Sequence, residues 1–96
     1  MVEVRQTIEF ADWLGGLRDI DAIARIQVRI RRLSLGNPGD VKPVGAGVSE
    51  LRIDYGPGYR VYFCRRGQAL VMLLCGGDKR TQDADIAKAK TMAKEI

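Results

Sequence analysis

Hydrophobic and polar positions alternate along residues 50–63, where two short runs flank a Gly-Pro-Gly turn. In a β-strand, successive side chains point to opposite faces of the sheet. The pattern therefore predicts a hairpin with an apolar layer on one face, made of Leu51, Ile53, Tyr59, Val61 and Phe63. Arg52, Arg60 and Tyr62 are predicted on the opposite, exposed face, because one face of an antiparallel sheet is commonly in contact with water.

This polar face has two interpretations. Two guanidinium groups and a phenol gathered on one side of a small sheet are typical of a surface that binds phosphate. The alternative is a solvated sheet face on which arginine is simply a soluble residue. Both interpretations remain open from this segment alone.

The first third of the chain predicts a short strand followed by two helices. Residues 2–6 alternate in polarity, as an edge strand does. Apolar residues from Phe10 to Leu17 recur at helical spacing, with Thr7 as the N-cap and Gly15-Gly16 near the end. A longer helix is expected to begin near Asp19 or Asp21, with isoleucines and Leu33 at the helical period.

Residues 36–58 hold six of the eleven glycines and all three prolines, so they are predicted to form a loop-rich connection into and through the hairpin. Strands are predicted at about 48–54, 59–65 and 69–75, the last apolar on both faces and therefore covered on both sides. A final helix is expected to begin at Thr81. The order β-α-α-β-β-β-α indicates one α+β domain over residues 1–96, with a helical hairpin on one face of a small antiparallel sheet.

Composition narrows the chemistry that this domain can perform. The chain has no histidine and two cysteines, so Cys64 and Cys75 are expected as packed free thiols, and no metal or cofactor is expected. No apolar run approaches membrane-spanning length and no signal-peptide core is present, which favours a cytoplasmic location without membrane contact. The formal net charge of +4 favours a polyanionic partner, either nucleic acid or an acidic protein.

The basic residues after the last strand are the best placed for phosphate chemistry. Lys79 and Arg80 lie between a Gly-Gly pair and a helix start, and Arg52 and Arg60 could approach them across the sheet. Such a cluster could stabilise the charge that develops when an RNA 2′-hydroxyl attacks its neighbouring phosphate. Tyr62 and Lys79 are the candidates for proton transfer, with Asp78 a weaker third.

A second basic group lies on the longer predicted helix. Arg25, Arg29 and Arg32, together with Arg31, form the densest cluster of positive charge in the chain. One interpretation is a solvated face whose aliphatic stems cover apolar surface. The other is a docking surface for an acidic partner or for ribosomal RNA phosphates.

Six segments resemble the RelE/ParE superfamily of type II toxins, specifically the HigB-like addiction module killer protein group. They are Phe10–Leu14, Gly36–Asp40, Gly45–Arg52, Gly56–Phe63, Leu73–Arg80, and Gln82 with Asp85-Ile86. The resemblance covers nearly the whole chain, in order and with compatible spacing. It implies a RelE-like fold, in which a helical hairpin lies beside a strongly curved antiparallel sheet with a C-terminal helix.

The same resemblance implies a function. It implies a toxin that a cognate antitoxin from the same operon neutralises, and that cleaves mRNA on the ribosome as an endoribonuclease. Arg60 matches the position of a catalytic arginine in RelE-type enzymes, and Arg80 matches a second basic catalytic position. Arg52 lies near the position of the family's catalytic lysines.

The chain also departs from the RelE pattern. Ile86 stands where RelE has a catalytic tyrosine, and the histidines that some HigB enzymes use are absent. These departures leave the general base unidentified. They keep open two alternatives: a ParE-like inhibitor of DNA gyrase that cleaves no RNA, and an inactive toxin-like protein that only regulates its operon.

Overall fold

A computed structural model describes all 96 residues as one five-stranded sheet with three α-helices. The elements in chain order are β1 (Glu3–Gln6), α1 (Ile8–Gly15), α2 (Ile20–Ser34), β2 (Val41–Gly45), β3 (Val48–Arg52), β4 (Arg60–Arg66), β5 (Leu70–Gly77), a 3₁₀ turn (Lys79–Thr81) and α3 (Gln82–Glu95). None of the helices combines the length and the apolar character that crossing a membrane requires.

The sheet is mixed, with strand order β1-β5-β4-β3-β2. Strand β1 pairs parallel with β5, while the other neighbours are antiparallel. The predicted α+β class is confirmed, but the prediction of an antiparallel sheet is wrong for β1. The predicted loop over 36–58 is wrong in part, because it contains β2. The sequence pattern does not predict this strand, because it contains Pro43 and a bulge next to Gly45. Both are tolerated because β2 lies at the sheet edge, where a missing N–H costs no ladder hydrogen bond.

Local side-chain chemistry explains where the first two helices begin. The Thr7 hydroxyl accepts a hydrogen bond from the Phe10 amide at 3.0 Å, and the Asp19 carboxylate accepts from the Ala22 amide at 3.2 Å. The N-cap at Thr7 is confirmed, and of the two expected starting positions of the longer helix the structure selects Asp19 as the N-cap. Thr81 behaves differently: it makes no capping bond, and its hydroxyl donates instead to the carboxylate of Asp85 at 2.6 Å.

The apolar core lies between the sheet and the helical hairpin. Its buried residues are Phe10, Ile26, Leu33, Leu51, Ile53, Val61, Phe63, Val71 and Leu73. The predicted apolar layer of the hairpin is therefore confirmed, with Tyr59 packed partly buried at its margin.

The opposite sheet face is also covered, so the prediction that it would be exposed is wrong. Helix α3 packs against it and forms a second core with Val48, Tyr62, Cys64, Leu74, Cys75, Ala89 and Ala93. Tyr62 is fully buried and Arg60 is only 7% exposed. The alternation of polar residues could not predict that this face is covered. Helix α3 contacts it through small alanines, and the polar side chains of the face form hydrogen bonds within the protein. Cys64 and Cys75 are buried free thiols, as expected.

Two glycines at the end of β5 let both layers approach the strand. The Trp13 ring of α1 lies against Gly76, and the Asp85 carboxylate of α3 lies against Gly77. A Cβ atom at either position would overlap these groups. The Gly-Gly pair is therefore a close-contact site for α1 and α3.

We expect Gly76→Ala to lower the free energy of unfolding by about 1–3 kcal/mol, because the added methyl group overpacks the Trp13 contact. Urea denaturation followed by Trp13 fluorescence would measure this. Gly15→Ala is the matched control: no atom lies within 4 Å of the added methyl group, so helix propensity should leave stability unchanged or slightly higher. Equal destabilisation by both changes would contradict the packing explanation.

Candidate functional site

The sheet register brings the predicted basic residues to one end of three neighbouring strands. Arg52 of β3 lies opposite Arg60 of β4, and Arg60 lies opposite Gly77 of β5. Lys79 and Arg80 follow directly after β5. The register places Arg60 next to the strand from which the Lys79-Arg80 segment continues, and Arg52 one strand farther away.

A buried carboxylate lies between the two strand arginines of this group. Glu50 accepts hydrogen bonds from Arg52 Nε at 2.9 Å, from the Tyr62 hydroxyl at 3.0 Å and from Gln82 Nε2 at 2.7 Å. Its Oε1 also lies 3.8 Å from Arg60 Nε. Like charges opposite each other on adjacent strands destabilise a sheet, and Glu50 offsets that repulsion.

The environment keeps Glu50 ionised. Burial by itself raises the pKa of this carboxyl group, but hydrogen bonds from Arg52, Gln82 and Tyr62 outweigh burial, and the pKa is lowered overall. Glu50 is therefore a stable negative charge that positions its neighbours. A carboxylate with a lowered pKa and three donors is a poor proton acceptor.

Tyr62 contributes to the same network from inside the protein. Burial and the neighbouring Glu50 carboxylate raise the pKa of its phenol, which donates to Glu50. The hydroxyl is enclosed between β4 and α3. These contacts give Tyr62 a positioning role, and its predicted role in proton transfer stays a prediction.

Arg60 is anchored at one side of its guanidinium group. Its Nη1 donates to the backbone oxygens of Gly58 and Tyr59, both at 3.1 Å, while its buried Nε has no hydrogen-bond partner. Nη2 makes no hydrogen bond within the protein. The side chain is therefore fixed in orientation and keeps donor capacity for an anion.

The Gly-Pro-Gly turn positions Lys79 beside Arg60. Gly58 has a φ of +80°, a left-handed conformation that favours glycine, and the Lys79 stem lies directly over it. A Cβ atom on Gly58 would be 2.9 Å from Lys79 Cγ. Because the Gly58 carbonyl also accepts from Arg60, one glycine brings the ammonium and the guanidinium into the same region.

Arg80 is the most exposed member of the group. It pairs with Asp78 at 2.9 Å, and its side chain is 78% exposed. The side-chain hydrogen bond from Arg80 lowers the pKa of Asp78. The pair holds Arg80 near the end of β5 while leaving most of its guanidinium group in solvent.

The arginines predicted as a second binding group on α2 do not act alike. Arg29 is a structural residue: it donates to the backbone oxygens of Pro38, Asp40 and Arg52 and so ties α2 to β3. Arg25 lies 4.5 Å above the Tyr55 ring, and Arg32 is exposed. All three lie on α2, outside the Glu50 network.

Two residues of the network, Glu50 and Gln82, are not predicted as site residues from the sequence. A signal for Glu50 exists, because a residue two positions before Arg52 in a strand shares its face. No local signal identifies Gln82, which reaches Glu50 from α3. Ile86, which the resemblance aligns with a catalytic tyrosine, packs against the second core.

No group of three or more histidine, cysteine, aspartate or glutamate side chains in the protein is arranged to hold a metal ion. The candidate site consists of Arg52 and Arg60 beside the buried Glu50 carboxylate, with Lys79 and Arg80 in the segment after β5. It can bind phosphate and stabilise negative charge.

Comparison with known proteins gives two matches. Residues 12–96 match the sequence family described as Phage derived protein Gp49-like (DUF891). A protein of Haemophilus influenzae, described as an uncharacterized protein, is 50% identical over 95 residues, which are 99% of this chain and 96% of the relative.

We expect Glu50→Gln to lower the free energy of unfolding by about 3 kcal/mol at neutral pH, because it leaves two arginines without their buried counter-charge. The pKa of Glu50 is lowered in the folded state, so its stabilising contribution is complete above its ordinary value of 4.5 and is lost as the pH falls further. The stability difference between wild type and Glu50→Gln should therefore shrink in acid. Urea denaturation from pH 7 to pH 3 would measure it.

Glu3→Gln serves as the control, since Glu3 pairs with Arg5 on the surface and both side chains are more than half exposed. Its effect should stay within about 1 kcal/mol at every pH. A Glu50→Gln effect as small as this control would show that the carboxylate is not what holds the arginines.

Proposed function

The chain belongs to the phage-derived Gp49-like family, a RelE/HigB-like, toxin-related family, and we propose that it is a type II toxin that cleaves mRNA on the ribosome. A cognate antitoxin encoded in the same operon would neutralise it. The ribosome and its mRNA would be the target, and growth arrest would follow from broken messages.

One observation carries this proposal: four cationic residues lie at one end of three adjacent strands, and a buried carboxylate lies beside two of them, Arg52 and Arg60. Arg52 and Arg60 come from the strands, and Lys79 and Arg80 come from the segment after β5. Preorganised cations of this kind favour a transition state that carries more negative charge than the substrate.

In the proposed reaction, the 2′-oxygen of a nucleotide attacks its own 3′-phosphate and forms a new P–O bond. The bond from phosphorus to the 5′-oxygen of the next nucleotide breaks, leaving a 2′,3′-cyclic phosphate and a 5′-hydroxyl. Arg60 and Arg80 donate to the phosphoryl oxygens as charge accumulates on them. Arg52 adds positive potential from the side of β3.

Proton transfer is assigned to Lys79 and solvent. The Lys79 ammonium, exposed beside Arg60, donates a proton to the departing 5′-oxygen. The 2′-hydroxyl proton passes to water, since Glu50 and Asp78 are both paired with arginine and have lowered pKa values. Tyr62 positions Glu50 and takes no part in the transfer.

We expect Arg80→Ala to reduce mRNA cleavage by about 100-fold or more, as loss of a single charge-stabilising donor does. Arg60→Lys should cause a similar loss, because lysine keeps the charge but not the fixed fork of donors. The measurement is primer extension of a defined message in a purified translation reaction, which maps translation-dependent 5′ ends.

Arg65→Ala is the control, because Arg65 is an exposed arginine near the other end of the same strand β4. It should leave cleavage unchanged. If the wild-type protein leaves the message intact, the proposal that it cleaves mRNA is contradicted. A supercoiling assay with DNA gyrase would then test the ParE-like alternative, and harmless overexpression without antitoxin would support an inactive regulatory protein.

We expect Tyr62→Phe to retain cleavage within about threefold while lowering the free energy of unfolding by about 1.5 kcal/mol, the usual effect of removing a hydrogen bond to a charged group. Cleavage and urea denaturation would be measured on the same preparation. A cleavage loss of about 100-fold or more, typical of a missing acid or base, would restore Tyr62 as the proton-transfer residue.

A further inference from the structure

Helix α2 presents a row of apolar side chains to solvent, on the side facing away from the core. Ile20, Val28 and Leu35 are 79%, 56% and 52% exposed. Ile20, Ala24 and Val28 follow one line along the helix, and the C-cap residue Leu35 lies on the same line beyond Arg31. We refer to these four residues as the α2 row. Exposed aliphatic residues that line up in this way are typical of an interaction surface.

A groove runs beside the row. It has a volume of about 540 Å³ and is lined by Asp21, Ala24, Arg25, Val28, Arg29 and Ile53. Two members of the α2 row, Ala24 and Val28, line this groove, and the buried Ile53 side chain adds apolar surface to its lining. A helix laid along α2 could bury the row and insert apolar side chains into this groove.

The border of the row is basic. Arg25 and Arg32 are exposed along one side of the row, and Arg31 is exposed within it, between Val28 and Leu35. Arg25 is held over the ring of Tyr55, whose hydroxyl donates to Asp19 at 3.2 Å. Holding Arg25 in this way reduces the side-chain entropy that binding would cost. Asp21 is the free acidic residue of the border, at the first turn of α2.

We propose that the α2 row and its basic border dock an amphipathic helix of a protein partner, whose apolar stripe is flanked by acidic residues. RNA is the less suitable occupant, because aliphatic side chains offer neither charge nor stacking to phosphates and bases. A second copy of this chain is also less suitable, since it would bring three exposed arginines for each free aspartate. The proposal is independent of whether the candidate site around Glu50, Arg60 and Lys79-Arg80 cleaves RNA.

Charge along the row sets the orientation and composition of the partner helix. Its acidic residues lie opposite Arg25, Arg31 and Arg32, and the part opposite Asp21 is neutral or basic. Complementary charge of this kind speeds association and selects partners, while the buried apolar residues supply most of the affinity.

The test is an NMR titration of the full chain, labelled with ¹⁵N, with a stapled helical peptide that has leucines on one face and glutamates beside them. The acidic peptide should shift the amide signals of α2 residues. A twin with lysines in place of the glutamates, and a twin with serines in place of the leucines, should each bind about tenfold more weakly.

Variants of the chain locate the site. Ile20→Ser combined with Val28→Ser should weaken the acidic peptide about tenfold without lowering the melting temperature, because both side chains are largely in solvent. Ile8→Ser is the matched control, since Ile8 is 82% exposed but lies on α1, and it should bind like wild type. Arg25→Glu with Arg32→Glu should reverse the preference toward the lysine peptide.

Four results would overturn the proposal. The first two are the absence of chemical-shift changes in α2 at about 1 mM acidic peptide, and equal binding of the peptide that has serines in place of the leucines. The third is a larger chemical-shift change in α2 with a single-stranded RNA oligonucleotide than with the acidic peptide. The fourth is a dimer of this chain, detected by sedimentation, that buries the α2 row. The RNA result would assign α2 to nucleic acid, and the dimer result would assign it to self-association. Because cleavage is not measured, none of these results depends on the Glu50 site.

Discussion

The buried carboxylate of Glu50 is the interaction on which the arrangement of this protein depends. It allows Arg52 and Arg60 to face each other on neighbouring strands, where two like charges alone would repel. The same carboxylate accepts from Tyr62 and from Gln82 of α3, so it also helps to fix the C-terminal helix over the sheet. One charge therefore couples the second core to the geometry of the cationic cluster.

The end of β5 has a comparable role for the backbone. Gly76 and Gly77 let Trp13 and Asp85 lie directly against the strand, so α1 and α3 each pack closely on it from opposite faces. An ion pair between Glu9 and Lys88, at 2.5 Å, joins the two helices around the sheet edge. The chain then turns into the Lys79-Arg80 segment. The cations at this end consequently follow a tightly packed strand terminus, although Lys79 and Arg80 themselves are exposed.

The basic residues divide into groups with different physical surroundings. Arg60 is nearly buried and oriented by backbone oxygens. The hydrogen bonds of Arg29 to backbone oxygens instead connect α2 to the segment before β2 and to β3. Arg25, Arg31 and Arg32 stay exposed beside an apolar row. The first setting suits stabilisation of charge on a bound phosphate, and the last suits recognition of an acidic helix. A net charge of +4 by itself could not have distinguished these uses.

Local patterns in the sequence determined the order of most elements, the N-cap at Thr7, and the apolar layer of the hairpin. These features depend on periodicity and on residues close in the chain. Alternation likewise placed Arg52, Arg60 and Tyr62 on one face. Only the tertiary structure decided that α3 covers this face, that β2 completes the sheet edge, and that Gln82 meets Glu50. Each of these is a contact between elements distant in the chain. A strand with polar residues on one face has the same alternation whether water or buried partners satisfy them.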